Sequence, residues 1–195
     1  RLGDVRAERG VRPARQLSRL VCAITMSESV LLRAANRPTR VVRHRNRNFW
    51  LDELKPNDVR THADAGMRLV AGWQAGTVRL ESTHPSFNAN YLCHEGSTFQ
   101  GRQCFLRADD GTDAFYLRST FHKVAALNGD QACFSLQSVN FPDKYLRHEG
   151  FRVKITGPQA DAPDDFSFYC VGNTVFDISR PTLRAANKPN HGDLA

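Results

Sequence analysis

Between residues 28 and 176 the apolar residues come in short clusters bounded by Gly, Pro, Asn or Asp, and within the clusters they alternate with polar ones. Period two marks half-buried strands, because successive side chains point to opposite faces. Val78-Arg79-Leu80-Glu81 and Phe134-Ser135-Leu136-Gln137 are such strands. After the second, Asn140-Phe141-Pro142-Asp143 reads as a turn in which proline sets φ. Tyr145-Leu146-Arg147 returns as a strand, His148-Glu149-Gly150 turns again, and residues 151–155 and 168–171 supply two more strands. No long helix is expected in this stretch.

The same pattern is written three times. Val41-Val42-Arg43-His44, Tyr91-Leu92-Cys93-His94 and Tyr145-Leu146-Arg147-His148 place their histidines 50 and 54 residues apart. Leu32, Leu80 and Leu136 stand four residues before Asn36, His84 and Asn140, and Met67, Phe121 and Phe168 open the last strand of each copy. Such a unit cannot bury both faces of its hairpins alone, so the three must share one core. Twelve short strands in three pseudo-repeats predict an all-β fold, the β-trefoil, with its core filled by those Leu, Met and Phe residues and by Val42, Leu92 and Leu146. The expected organisation is a basic N-terminal tail over 1–27, a trefoil over 28–176 with units of about 28–75, 76–131 and 132–176, and a C-terminal tail over 177–195. In that tail LRAANKP at 183–189 nearly duplicates LRAANRP at 32–38. It reads either as a strand beside the first or as the start of a further unit.

With 195 residues the chain can bury one sizeable core. A formal charge of +7 favours anionic or neutral partners over cationic ones. Part of the excess lies in residues 1–19, where six arginines face only Asp4 and Glu8. No apolar run approaches the length of a bilayer-crossing helix. Five cysteines, at 22, 93, 104, 133 and 170, fit no short zinc-ligand pair. Cys93 and Cys104 either close a small loop as a disulfide, which would go with an extracellular or secretory-pathway setting, or pack reduced in the core.

The stretch from Phe134 to His148, FSLQSVNFPDKYLRH, resembles the arabinofuranosidase-B-type β-trefoil domain, also called carbohydrate-binding module family 42, and the likeness extends over all three units. The resemblance implies a non-catalytic domain that binds arabinofuranose branches in shallow lobe pockets, each built on the motif histidine and an aspartate just before the fourth strand. Asp165-Phe166-Ser167-Phe168 and Asp64-Ala65-Gly66-Met67 match that pattern. The middle unit departs from it: Arg118 stands where the acid should be, and Cys93 replaces the arginine beside His94.

A neutral furanose needs fixed polar groups for adjacent hydroxyls and an apolar wall for a ring face. A carboxylate beside an imidazole meets the first need. The candidate sites are therefore His148 with Asp165, walled by Tyr145 and Phe141 and rimmed by Asn140, then His44 with Asp64, and His94 third. Each histidine could instead hold its own turn closed. A glycosidase would need two carboxyls across one bond, and each lobe offers one, so the chain reads as a binding module and not an enzyme. The histidines fall in three separate lobes, which argues against a metal, and no cofactor is implied. A rival reading gathers Arg33, Arg37, Arg40, Arg43, Arg45 and Arg47 into one patch for acidic glycans. That patch lacks interleaved aromatic platforms for specific nucleic-acid binding. A third reading makes the trefoil a scaffold for a protein partner.

Overall fold

The computed structural model describes residues 29–95 and 102–173. It contains twelve strands in three runs of four. The first run is β1 (Val30–Ala34), β2 (Arg40–Arg45), β3 (Asn48–Glu53) and β4 (Met67–Ala71). The second is β5 (Val78–Ser82), β6 (Asn90–His94), β7 (Arg102–Ala108) and β8 (Thr120–Ala125), and the third is β9 (Phe134–Ser138), β10 (Tyr145–Glu149), β11 (Arg152–Thr156) and β12 (Phe168–Gly172). All pairings are antiparallel. Within each run the second and third strands form a hairpin, as in Arg43↔Trp50, Cys93↔Phe105 and Arg147↔Lys154. The fourth strand of one run pairs with the first of the next, β4 with β5 and β8 with β9, and β12 returns to β1 through Leu32↔Cys170. That last pairing closes the barrel and leaves no free edge between first and last units.

The chain is thus an all-β trefoil. Its core is the set expected from the repeats: Leu32, Leu80 and Leu136, Val42, Leu92 and Leu146, and Met67, Phe121 and Phe168 all have no exposed surface and form one cluster. Because β2, β6 and β10 alternate, the residue after each buried Val or Leu faces outward from this core. It is Arg43, Cys93 or Arg147.

The third-to-fourth strand connections carry short helical elements. α1 (Val59–Ala65) is capped by Asp58, whose carboxylate accepts from the Thr61 N–H, and α2 (Asp113–Ser119) by the Thr112 hydroxyl, which accepts from Phe115 N–H. In the third unit a 3₁₀ turn, Pro163–Phe166, takes the same place. These caps satisfy amide groups that a two-turn helix leaves open. α1 then enters β4 through Gly66, where an added Cβ would lie 2.4 Å from Thr83 Oγ1. The helices were not anticipated from the alternating pattern.

The disulfide expectation is corrected. Cys93 and Cys104 are both free thiols. Cys104 lies opposite His94, not opposite Cys93, so the one-residue offset sends the two side chains to opposite faces of the hairpin. Cys104 joins the barrel core, while Cys93 packs with Tyr91 and Phe115. The tails at 1–27 and 177–195, with Cys22 and the repeated LRAANKP, lie outside the described residues.

Candidate functional site

Each histidine cluster is assembled across two lobes, an offset the repeat alone did not reveal. In the third lobe Arg147 Nη2 donates to Asp165 Oδ2 at 3.1 Å, and His148 Nε2 lies 3.6 Å from Asp165 Oδ1. The remaining member comes from the first unit. Asn36 Oδ1 stands 2.9 Å from His148 Nε2, and its Nδ2 donates to Asp165 Oδ1 at 2.8 Å. An amide oxygen only accepts, so His148 carries its proton on Nε2 in this arrangement.

The first lobe repeats the construction with a different third member. Arg43 donates to Thr61 Oγ1 at 2.9 Å and to Asp64 Oδ2 at 3.1 Å. His84 of the second unit replaces the asparagine, with its Nε2 3.7 Å from Asp64 Oδ1, and His44 Nε2 is 3.9 Å from the same oxygen. His44 Nε2 is buried and has no hydrogen-bond partner. Phe87 stands edge-on to the His44 ring, centroids 5.0 Å apart, and supplies the apolar side. The repeat aligned His84 with Asn36 and Asn140 without making it a site residue. Its equivalence to Asn36 was legible in the repeat, but its pairing with the preceding lobe's histidine was not.

The second lobe is built differently. His94 is fully buried, its Nε2 is 3.0 Å from Ser138 Oγ, and its ring meets Phe121 and Phe141 edge-on. Phe141 therefore packs against His94 and not against His148. Asn140, in the same turn, belongs to that side too, because Ser138 and Phe141 flank it there. Tyr145 stands on the Arg147 face of β10, two residues from Arg147, and not on the His148 face.

Burial decides the charge state of the imidazoles. It pulls His94 down to about 3, with Arg102 and Arg118 adding to the effect. His44 falls to about 4 because burial outweighs the pull of Asp64, with His84, Arg43 and Arg47 lowering it further. His148 is lowered by burial against the opposing Asp165, with Arg37 and Arg147 contributing. All three are neutral near pH 7. The first and third lobes then present one anionic carboxylate beside a neutral imidazole, a set able to accept from and donate to vicinal hydroxyls.

Most of the arginines named as a basic patch are drawn into local contacts. Arg43 and Arg45 share Asp52, at 3.6 and 3.0 Å, and the Arg45 guanidinium lies 4.6 Å over Trp50. Arg40 covers Phe151, Arg47 covers Phe87, and Arg37 is exposed near His148. Arg33 is half-buried in β1. No group of three or more His, Cys, Asp or Glu that could hold a metal exists among the described residues. No described helix is long and apolar enough to cross a membrane.

Residues 58–170 match the profile of the alpha-L-arabinofuranosidase B (ABFB) domain. Alpha-L-arabinofuranosidase B of Emericella nidulans is 27% identical over 119 residues, which cover 58% of this chain and 22% of that protein. Among solved structures, an arabinofuranosidase complexed with arabinofuranosyl-α-1,2-xylobiose superposes with a TM-score of 0.65 at 25% identity, covering 76% of this chain and 32% of the other. A ricin B-like lectin of Macrolepiota procera in complex with lactose shares the fold, with a TM-score of 0.57 at 12% identity over 76% of this chain and 98% of that one. The chain thus spans about a fifth of the curated arabinofuranosidase and a third of the crystallised one. The threefold repeat, the closed twelve-strand barrel and the profile match place this chain in the arabinofuranosidase B domain family, as a non-catalytic carbohydrate-binding module of β-trefoil fold.

Proposed function

We propose that the module binds terminal arabinofuranose or a related neutral pentose on a branched polysaccharide, at two pockets: His44, Asp64 and His84 in the first lobe, and His148, Asp165 and Asn36 in the third. The observation that carries this reading is the unpartnered His44 Nε2, buried beside an Asp64 carboxylate that keeps some exposure. A buried imidazole nitrogen without a partner is costly, and a sugar hydroxyl entering the pocket would supply one. In the third lobe Asn36 already bridges His148 and Asp165, so a sugar there would add to or displace the amide. His94, sealed by Ser138 and two phenylalanines, takes no part. The arabinosyl ligand of the structurally similar arabinofuranosidase supports the choice of sugar. Its polysaccharide source would set the module to work outside the cell or in the secretory pathway.

A glycan array read at low and high salt tests this. Neutral-sugar recognition is expected to persist at high salt, since it rests on hydrogen bonds and ring contacts, and to weaken in Asp64→Asn and Asp165→Asn. Signal confined to sulfated glycans and erased by salt would replace the sugar-pocket reading with an electrostatic one. Capture of a protein with no glycan signal would favour the scaffold.

A further inference from the structure

In the first and third lobes an internal ion pair fills the space between the β-hairpin and the helical turn: Arg43 with Asp64, and Arg147 with Asp165. Both members are exchanged in the second lobe. Cys93 takes the arginine position on β6, and Arg118, three residues before Phe121, takes the aspartate position on α2. The short thiol leaves the space open as a cavity of about 390 Å³ between the hairpin and α2. That volume suits one sugar ring. Phe115 lines it as an apolar wall, and Arg47, Glu95, Arg107, Asp110 and Arg118 bring charge to it.

The charges do not cancel. Arg107 is committed to Glu95, with Nη2 donating to Oε2 at 2.6 Å, and Asp110 accepts from the Thr112 N–H and hydroxyl. Arg118 has no carboxylate within ion-pairing distance among the described residues, and of the lining carboxylates Asp110, already bonded to Thr112, interacts with it electrostatically. Arg47 lies over Phe87 and, among the described residues, pairs with no carboxylate. Burial pushes the Cys93 thiol up to about 12, so it contributes no negative charge.

We propose that this second-lobe cavity binds the carboxylate of a uronic acid residue on a polysaccharide, with Arg118 as its main contact. The ligand supplies the carboxylate that the protein itself supplies in the other two lobes, and the cavity left by the missing arginine receives the ring. A planar guanidinium offers a carboxylate two parallel hydrogen bonds, which gives the site its chemical selectivity. The site is separate from the His44 and His148 pockets, and the inference rests on the carbohydrate-binding reading only in taking the carboxylate to be a sugar's.

Calorimetric titration with three probes tests it: a xylo-oligosaccharide bearing one glucuronic acid, its carboxyl-reduced analogue, and an arabinosyl xylo-oligosaccharide. The glucuronosyl probe is expected to bind, the reduced analogue to bind at least about tenfold more weakly, and Arg118→Ala to remove that difference. Arg118→Lys should restore part of it, and Asp165→Asn should leave it intact. Binding that ignores the carboxyl group, or a carboxyl-dependent difference that survives in Arg118→Ala, overturns the site. So does an acidic peptide that binds Arg118 while the glucuronosyl probe does not. The arabinosyl probe reports separately on the neutral pockets, so their failure and this one are told apart.

Discussion

His148 Nε2 meets Asn36 Oδ1 and His94 Nε2 meets Ser138 Oγ, whereas His44 Nε2 is buried with no partner. All three imidazoles have pKa values below that of an exposed histidine, because burial disfavours their charged forms. The unfolded chain therefore takes up protons from about pH 6.5 downward, while the folded chain does not until about pH 4 at His44 and about pH 3 at His94. Stability is full above pH 6.5 and falls as pH drops, by up to about 1.4 kcal/mol per pH unit for each such histidine. Urea unfolding at steps from pH 7.5 to 4.5 should show this loss beginning above the carboxylate range, and His94→Asn should make the slope shallower. Midpoints that stay level between pH 7 and pH 5 would show that the histidines are not held neutral. Asp165→Ala removes the carboxylate from Arg147, whose side chain is 6% exposed and would keep only Glu149 at 2.9 Å. A loss of about 2 kcal/mol is expected in the same assay.

The elements that deliver the acids are the least obvious in the sequence. α1 and α2 are seven residues each and lie inside a chain whose pattern is otherwise alternating, so their signals are local: Asp58 before α1, Thr112 and Asp113 opening α2. Those caps were readable as helix starts, though propensity alone seldom holds so short a helix and packing must complete it. The cysteine pairing failed for a related reason. A hairpin brings residues near in sequence together, but the register decides which face each takes, and Cys93 opposite Phe105 cannot be read from spacing. Gly66 shows how tightly α1 is seated, with Thr83 Oγ1, Asn173 Nδ2 and Ser29 Oγ at 2.4, 3.1 and 3.1 Å from an added Cβ. Thr83 and Ser29 also bond each other at 2.9 Å in a buried position, so neither can step aside freely. Gly66→Ala is expected to cost about 1–3 kcal/mol and, by shifting α1, to weaken the first-lobe pocket more than the third. Thermal unfolding together with arabinoside titration would show it, and equal weakening of both pockets would contradict it.

At the scale of the whole molecule, the threefold pattern fixed the barrel and its core, since Leu32, Leu80 and Leu136 recur at one position and each is fully buried. The pairing of lobes was not legible, because β12–β1, β4–β5 and β8–β9 carry the first turn of each unit to the preceding unit's histidine. Asn36, His84 and the Ser138–Phe141 turn are thereby moved one lobe along. Two binding sites of the proposed kind on one barrel would also favour polymers over short ligands: once one were filled, the second would meet its branch at high local concentration. A branched polysaccharide should bind more tightly than its isolated side chain, and the advantage should vanish when either Asp64→Asn or Asp165→Asn is introduced. The most direct test of the cross-lobe pockets is to follow the imidazole nitrogens by NMR while an arabinosyl xylo-oligosaccharide is added. Shifts at His44, His84 and His148 with His94 unmoved are predicted; movement at His94, or at none of the four, would contradict the assignment of the two sites.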